Sequence, residues 1–254
     1  MRPDTSHWRD NDSYDYFDTL PIEGLAWECL RRHEPYQRHY QALLTTRAEK
    51  APFPLRHSGS GGYDFPARPD LSALAQDVFW SPDVDPAVVS LVPAPEFLSS
   101  LRSTPLTGPG VLHDSPEGRH TVHSAGVATQ LLLLPGSEPH GPLAALIPLD
   151  AETLGRIEAL ARFWRSLQGR PPPSDTRMTP QQRRRFRLMM QAADGHSNGA
   201  SYRDIAIALY GSKRVAADPW KTSALRDAVI GLVEGATAMI GGGYLQILRH
   251  RRRS

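Results

Sequence analysis

Apolar positions are spaced as in helices near both ends of the chain and fall in short runs between them. From Tyr14 onward they recur at intervals mostly of three, four or seven residues, which predicts helices over about 21–33 and 35–47. We therefore predict an N-terminal helical unit over residues 1–48.

Two groups of polar side chains on the first of these helices need an interpretation. Trp27 with Arg31 and Arg32 could form a stacking and phosphate-binding face, but an aromatic side chain on a small helical unit is more often part of the core. Glu23 and Glu28 are expected to be exposed carboxylates. The first helix is therefore predicted to be structural.

Proline, glycine and serine interrupt the helical pattern between residues 49 and 69. The run Ser58–Gly62 cannot bury a core, so a flexible linker is predicted there. After it, short apolar runs bounded by proline and glycine predict a small, mostly antiparallel sheet. Those runs are Asp77–Trp80, Ala87–Val92, Gly118–Ala125, Val127–Leu134 and Leu143–Ile147.

An amphipathic helix over Asp150–Gln168 is predicted to pack on this sheet and to complete a middle domain over residues 70–170. Its inward positions are Leu154, Ile157, Leu160, Ala161, Phe163, Trp164 and Leu167. Its outward positions are Arg156, Glu158, Arg162 and Arg165. Pro171–Pro173 then forms a stiff linker of polyproline character.

Capping residues mark the starts of two helices in the last part of the chain. In each, a hydroxyl residue is followed three positions later by a side chain that can return a hydrogen bond to it. The pairs are Thr179 with Gln182 and Ser201 with Asp204. The first helix is predicted to run to about Ala193.

A third helix follows a long connection. Gly211 is predicted to end the second helix, Pro219 to begin the third and Gly235 to end it. Three helices with a long connection before the last describe a looped helix-turn-helix domain over residues 174–254. With the middle sheet, the whole chain is predicted to be an α+β protein.

Charge is distributed unevenly along the chain. The net charge of the 254 residues is +2, but residues 1–150 carry 11 basic and 19 acidic side chains, and residues 151–254 carry 18 and 8. A basic C-terminal part suits a polyanionic partner. The single Cys29 excludes an intramolecular disulfide and a thiolate metal site, and no apolar run approaches the roughly 20 residues of a membrane span. A cytoplasmic protein without a membrane partner is expected.

The tri-helical domain is the strongest candidate for function, because such domains place the second helix of the motif in the major groove of duplex DNA. Ser223 and Arg226 are the expected base contacts, since arginine can donate twice to guanine. Lys221 and Thr222, near the helix N-terminus, are the expected phosphate contacts. Sequence-independent attraction would come from Arg183, Arg184, Arg185, Arg187 and the basic tail Arg249–Arg253.

Other functions fit less of the sequence. An adaptable apolar face is formed by Phe186, Met189 and Met190, and a helix of another regulator could bind it if the bundle leaves it open. The protein would then be an antiactivator-like binding module. His120 and His123 lie three residues apart on a predicted strand and point to opposite faces, which argues against a shared metal. No glycine run has phosphate-loop spacing. No cofactor is expected, and an enzyme is the least favoured function.

Two segments resemble known protein families. HWRDNDSYDYFDTL with EGLAWECLRRHEPYQRHY, in residues 7–45, resembles the N-terminal transcriptional regulator domain of proteobacterial proteins. RMTPQQRRRFRLMMQAADGHSNGASYRDIAIALYG followed by DPWKTSALRDAVIGLVEGATAMIGGGYLQILR resembles the domain of unknown function usually fused behind it. The motifs SYRDIA, WKTSALRD and GGGYLQILR are specific when they occur together in this order.

The resemblance implies a helix-turn-helix regulator of gene expression with Lys221–Asp227 on its recognition helix, of a kind associated with integrative and conjugative elements. Such proteins include activators and antiactivators that sequester a partner. Double-stranded DNA is therefore the expected partner and another transcriptional regulator the alternative. A homodimer is compatible with both, because regulators that read two half-sites commonly dimerise.

Overall fold

A computed structural model describes residues 1–45, 58–60, 63–65, 67–98, 104–106, 110–124 and 128–249. Its helices are α1 Ile22–Leu30, α2 Glu34–Thr45, α3 Thr153–Leu167, α4 Pro180–Ser197, α5 Tyr202–Tyr210, α6 Ser212–Ala216, α7 Ala224–Ala238 and α8 Tyr244–Leu248. Its strands are β1 Ser58–Ser60, β2 Tyr63–Phe65, β3 Val89–Pro93, β4 His113–Ser115, β5 Gly118–His123, β6 Thr129–Leu133 and β7 Leu143–Leu146. Helices and a sheet together confirm the α+β class.

The chain forms two compact units. The first, here called the helical unit, comprises Met1–Arg38, Pro69–Ala75 and Met178–Ile247. The second, here called the β unit, comprises the described residues within His39–Arg68, Gln76–Arg177 and Leu248–Ser254. These units divide the chain differently from the predicted ranges 1–48, 49–69, 70–170 and 174–254, because segments from both ends of the chain share one helical core. The division of the chain into the predicted domains stays a prediction.

The β unit contains a sheet in the order β2-β1-β4-β5-β6-β3-β7. The pair β3–β6 is parallel and the other neighbouring pairs are antiparallel, which confirms a mostly antiparallel sheet. The sheet's core includes Leu91, Leu131 and Phe163. At the turn between β4 and β5, Gly118 has a φ of 146°, and a Cβ there would collide with the carbonyl group of Leu133. This turn therefore requires glycine.

Several details of the β unit differ from the sequence prediction. The predicted linker contains the paired strands β1 and β2. Asp77–Trp80 forms no strand longer than a single bridge, and β4 falls where a loop was predicted. Residues 49–57, 61, 62 and 66 of the predicted linker and 250–253 of the basic tail lie outside the described residues.

The prediction of the inward face of α3 was wrong at several positions. Leu154 is 76% exposed, and Ile157 and Trp164 are each 45% exposed. Arg156, predicted to face outward, is buried and donates through Nη1 to the Pro82 carbonyl at 2.8 Å. The helix carries two apolar stripes, and the sheet packs against the one that contains Phe163. Periodicity alone does not select between two such stripes.

The helical unit has a core built from both ends of the chain. Trp27, Phe186 and Met190 are buried in it, which confirms the structural interpretation of Trp27. The rings of Phe17 and Phe186 lie 6.2 Å apart, and Cys29 Sγ lies 3.9 Å from Met190 Sδ. The packing of α4 against α5 and α7 completes the core on the C-terminal side.

Local capping chemistry sets the starts of α4 and α5. Both predicted capping boxes are present, and each has reciprocal hydrogen bonds between the N-cap residue and the residue three positions later. Gly211, with a φ of 84°, ends α5 as predicted. The prediction for α7 was shifted, because Ser223 is its N-cap and Pro219 precedes a 3-10 turn over Trp220–Thr222.

The predicted connection and the predicted end of the third helix also differ from the structure. Helix α6 occupies the connection that was expected to be a loop. Helix α7 continues past Gly235 to Ala238, and a π-helical turn over Met239–Gly243 leads into α8. Gly235 stays helical where Met189 of α4 packs closely on it.

One segment among the described residues, Ala224–Leu248, is long and apolar enough by length and composition to cross a membrane. No membrane span was expected from the sequence, because its continuous apolar runs are much shorter. Val229, Leu232 and Ala236 within it are buried in the helical unit, and Gly242, with a φ of 132°, interrupts the helical path. The buried positions account for part of its apolar character.

Candidate nucleic-acid interface

One stripe of polar side chains on α4 is used to hold the N-terminal segment. These residues recur three or four positions apart and contact partners between Thr5 and Arg32. They are Arg183, Arg187, Gln191, Asp194 and Asn198. Gln191 Nε2, for example, donates to the Trp8 carbonyl at 2.9 Å. This face of α4 is therefore an internal contact of the helical unit.

A buried ionic cluster lies at the centre of that contact. Arg32 donates to Asp194 Oδ2 at 2.8 Å and to Glu28 Oε2 at 2.6 Å, and Arg31 Nε donates to the same Glu28 oxygen at 2.7 Å. Burial alone would raise the pKa of Glu28, but the Arg32 and Arg31 guanidiniums outweigh it and hold the pKa below its usual range. Tyr14 donates its hydroxyl to Asp194 at 2.6 Å.

The cluster corrects one expectation about α1 and excludes one alternative. Glu28 is fully buried, although it was predicted to be exposed. Arg31 and Arg32 are ion-paired within the protein, so they do not form a phosphate-binding face. An isolated sequence pattern cannot reveal such partners, because Asp194 is more than 160 residues away in the chain.

The four arginines predicted on α4 separate into two pairs. Arg183 donates to the Phe17 and Leu20 carbonyls at 2.9 and 2.6 Å. Arg187 pairs with acidic side chains of the N-terminal segment, Asp18 at 3.0 Å and Asp15 at 2.5 Å. Arg184 and Arg185 are instead exposed. Two of the four charges are thus available to an outside partner without breaking these contacts.

The residues predicted around the third helix also differ in accessibility. Lys221 and Thr222 are exposed on the 3-10 turn that precedes α7. Ser223 is only 4% exposed, and its hydroxyl accepts a hydrogen bond from the Leu225 N–H at 3.2 Å. The expectation that Ser223 contacts a base stays a prediction, although its oxygen is already used as a helix cap.

Arg226, the other expected base contact, lies in the first turn of α7. Its side chain is 43% exposed and lies 3.5 Å from the carboxylate of the neighbouring Asp227. The Arg226 side chain is partly exposed and Asp227 is largely exposed, so this pair contributes little to stability and leaves the guanidinium able to exchange partners.

Further cations lie beside Tyr210, in the connection that was predicted to be a loop. The Arg214 guanidinium lies 5.5 Å from the centre of the Tyr210 ring. Burial raises the pKa of Tyr210, and the charges of Arg214 and Arg185 act against that rise, so both arginines are near this ring. Lys213 is exposed beside Arg214 on α6. The sequence predicted a loop at GSKR, so it did not show that Lys213 and Arg214 lie on a helix.

The apolar face of α4 that was considered as a binding surface for another regulator is buried. Phe186, Met189 and Met190 are all buried, and residues of the chain's own N-terminal segment pack against this face of α4. The alternative required this face to be open, and that condition is not met because Phe17 and Cys29 pack against it.

An open polar pocket of about 660 Å³ lies in the β unit. Its lining includes Asp83, Asp150, Glu152, Arg156 and Arg249. The Glu152 backbone N–H donates to Asp150 at 2.8 Å, and with Arg156 it holds the pKa of Asp150 below its usual range. A carboxyl group with a lowered pKa stays ionised at neutral pH, so it is unsuited to act as a general acid and is a weaker base than an ordinary aspartate.

Comparisons with known families match both helical parts of the chain. Residues 146–249 match the RovC DNA-binding family, described as "T6SS, Transcription factor, DNA binding domain". Residues 7–58 match the family described as "Proteobacterial transcriptional regulator-like domain". Both families are transcription regulators. No curated protein matches the chain.

The two matches support a DNA-binding transcriptional regulator. The DNA-binding match includes α3 of the β unit and the capped helices α4, α5 and α7 of the helical unit. The exposed cations Arg184, Arg185, Lys213, Arg214 and Lys221 all lie inside it.

Proposed function

We propose that this protein is a transcriptional regulator whose helical unit contacts duplex DNA through the looped helix-turn-helix of α5, α6 and α7. The match of residues 146–249 to a transcription-factor DNA-binding domain is the observation that carries the proposal. Three packed helices with capped N-termini supply the scaffold that such motifs use to present one helix to the major groove.

Phosphate contacts come from the exposed cations of this unit. Arg184 and Arg185 of α4, Lys213 and Arg214 of α6, and Lys221 before α7 all project into solvent. The positive end of the α7 dipole favours a phosphate nearby, while the Leu225 and Arg226 N–H groups already donate to Ser223. Arg183 and Arg187 have a different role, which is to hold the N-terminal segment.

Base contacts fall to the start of α7. Arg226 exchanges the nearby Asp227 carboxylate for guanine acceptors, and Ser223 fixes the first turn of the helix that carries Arg226. The protein acts in the cytoplasm, where its DNA lies, without a cofactor and without catalysis. The association with integrative and conjugative elements remains an expectation from the sequence resemblance.

Charge-matched variants of the full chain test this proposal. Arg184→Ala with Arg185→Ala, and Lys213→Ala with Arg214→Ala, are each compared with Arg38→Ala and Arg170→Ala, which removes two exposed charges elsewhere. Binding to a fluorescent mixed-sequence duplex is measured by anisotropy. Each test pair should weaken binding about tenfold or more and lower the salt slope by about 1–2, while the control changes little.

Two results would count against the proposal. If the control pair weakens binding as much as the test pairs, net charge and not this surface governs binding. If the unaltered chain does not bind duplex at low salt, the protein does not act through DNA. Circular dichroism and thermal unfolding of each variant establish that the fold is unchanged.

A further inference from the structure

The last residue of α5, Tyr210, has two arginine side chains as neighbours. Helix α5 packs against both α4, which carries Arg185, and α6, which carries Arg214. Gly211, with a φ of 84°, turns the chain directly after Tyr210, and the Arg214 guanidinium lies 5.5 Å from the centre of the Tyr210 ring. The ring is partly buried, and its hydroxyl makes no hydrogen bond to any described residue.

The groups around Tyr210 are hydrogen-bond donors. The charges that act on its hydroxyl are those of Arg214 and Arg185, and both are positive. Within the part of the chain that the structure describes, no carboxylate pairs with either guanidinium. The pKa of the Tyr210 phenol is raised, mainly by burial, so the hydroxyl keeps its proton at neutral pH. Three donor groups thus lie near one another without an acceptor.

This arrangement suits a phosphate group. The two guanidiniums repel each other, and an anion between them would offset that repulsion. The oxygen atoms of a backbone phosphate accept hydrogen bonds, and arginine and tyrosine are both among the side chains that contact such phosphates in protein–DNA complexes. The Tyr210 ring also orients Arg214 through a cation–π contact, so this guanidinium loses less freedom when it binds an anion.

We propose that Tyr210, Arg185 and Arg214 together hold one phosphate of the DNA backbone, to which the Tyr210 hydroxyl donates as an uncharged third donor. This inference rests on the proposed function. It adds a residue without charge to the interface and gives two of the exposed cations a common ligand. Because phosphate contacts carry no base information, Tyr210 should strengthen binding to duplexes of any sequence.

Tyr210→Phe in the full chain separates the hydroxyl from the ring. The association constant for a mixed-sequence duplex should fall about tenfold or more, as expected for a lost hydrogen bond to a charged group. Its dependence on salt should stay unchanged, because an uncharged group displaces no counterion. Arg214→Gln should lower the association constant and also reduce the salt slope by about 1.

Tyr202→Phe is the matched control. It makes the same change at the other end of α5, where the Tyr202 ring stacks on His196. Neither the association constant nor its salt slope should change. Thermal unfolding of every variant establishes that the fold is kept.

A double-mutant cycle tests whether the three groups hold the same phosphate. The combined loss in Tyr210→Phe with Arg214→Gln should be at least about threefold smaller than the product of the two single losses. The same should hold for Tyr210→Phe with Arg185→Gln. Lys221→Gln removes an exposed cation before α7, and its loss should multiply with that of Tyr210→Phe.

Inorganic phosphate distinguishes a free anion from the DNA backbone as the source of the phosphate. When phosphate replaces chloride at equal ionic strength, duplex binding should be nearly unchanged, because one free phosphate lacks the other contacts of a duplex. Displacement of the duplex from the unaltered chain but not from Tyr210→Phe would show that the site takes a free phosphate, and it would overturn the proposal.

The remaining outcomes separate this inference from the proposed function. If the unaltered chain binds no duplex at low salt, the proposed function itself fails. If it binds and Tyr210→Phe binds equally well, the proposed function stands and the phosphate site at Tyr210 is wrong. Single losses that multiply in the cycle would place Tyr210 and the arginines on different phosphates and would also overturn the inference.

Discussion

At the scale of single residues, the buried charges of the helical unit decide how its two chain segments are joined. Arg32 connects Glu28 of α1 with Asp194 of α4, and all three side chains are almost fully buried. Glu28 keeps its charge inside the core because the guanidiniums of Arg32 and Arg31 compensate for the lost water. Removing one partner leaves the other buried without compensation.

Glu28→Gln should therefore lower the free energy of unfolding at neutral pH by about 3–5 kcal/mol. The pKa of Glu28 is depressed in the folded protein, so the contribution of this carboxylate is present above its unfolded pKa of about 4.3 and is lost as the pH falls through the folded value. Urea unfolding at about pH 7 and about pH 3.5 measures both, and the difference between variant and parent should shrink in acid.

Glu34→Gln is the control, because Glu34 is exposed and lies 3.9 Å from the exposed Arg38. It should change the unfolding free energy by less than about 0.5 kcal/mol. A deficit in Glu28→Gln that is equal at both pH values would show that the charge of Glu28 is not what stabilises the cluster.

At the scale of elements, two helical glycines that look alike in the sequence have different surroundings. A Cβ on Gly195 of α4 would lie 2.8 Å from the Trp8 ring and 3.1 Å from Ile205, whereas a Cβ on Gly231 of α7 would meet nothing within 4 Å. The first glycine lets the N-terminal segment approach α4, and the second has no such requirement in its surroundings.

Gly195→Ala should therefore lower the free energy of unfolding by about 1–3 kcal/mol, through overpacking against Trp8. Gly231→Ala, the same change in an open helical position, should be neutral or raise it by up to about 1 kcal/mol. Chemical denaturation of both variants gives the comparison. Equal effects would mean that the contact between Trp8 and α4 does not limit the packing.

The elements that could be predicted from the sequence are those set by local contacts. The starts of α4 and α5 were predictable because Thr179 and Ser201 cap residues only three positions away. The start of α7 was misplaced because Pro219 and Ser223 are both plausible starts and only the structure shows which one caps the helix. The inward face of α3 was misassigned because both of its sides are apolar.

At the scale of the whole molecule, fewer basic side chains are accessible to DNA than the charge asymmetry of the sequence suggests. Part of the basic C-terminal charge is neutralised by acidic residues of the N-terminal segment, through the ion pairs of Arg187 with Asp15 and Asp18. These are long-range contacts, so no count along the sequence could include them. The exposed cations left over within Met178–Ile247 are fewer: Arg184 and Arg185 on α4, Arg203 on α5, Lys213 and Arg214 on α6, and Lys221 before α7.

The accessibility of the candidate site residues was predicted only in part, and the contact of each of them with DNA stays a prediction. Arg184, Arg185, Lys221 and Thr222 are exposed as a DNA contact requires. Arg183, Arg187 and Ser223 make internal contacts instead, and Arg214 was missed beside Tyr210. The chemistry of each residue was evident from its type, but its availability depended on packing between segments far apart in the chain.

The salt dependence of duplex binding by the full chain tests the central claim most directly. With a mixed-sequence duplex, the association constant should fall by at least about 100-fold between about 50 and 200 mM salt, as expected for about four phosphate contacts. A constant that does not change with salt, or an absence of binding at the lower salt concentration, would contradict a regulator that holds DNA through the exposed cations of its helical unit.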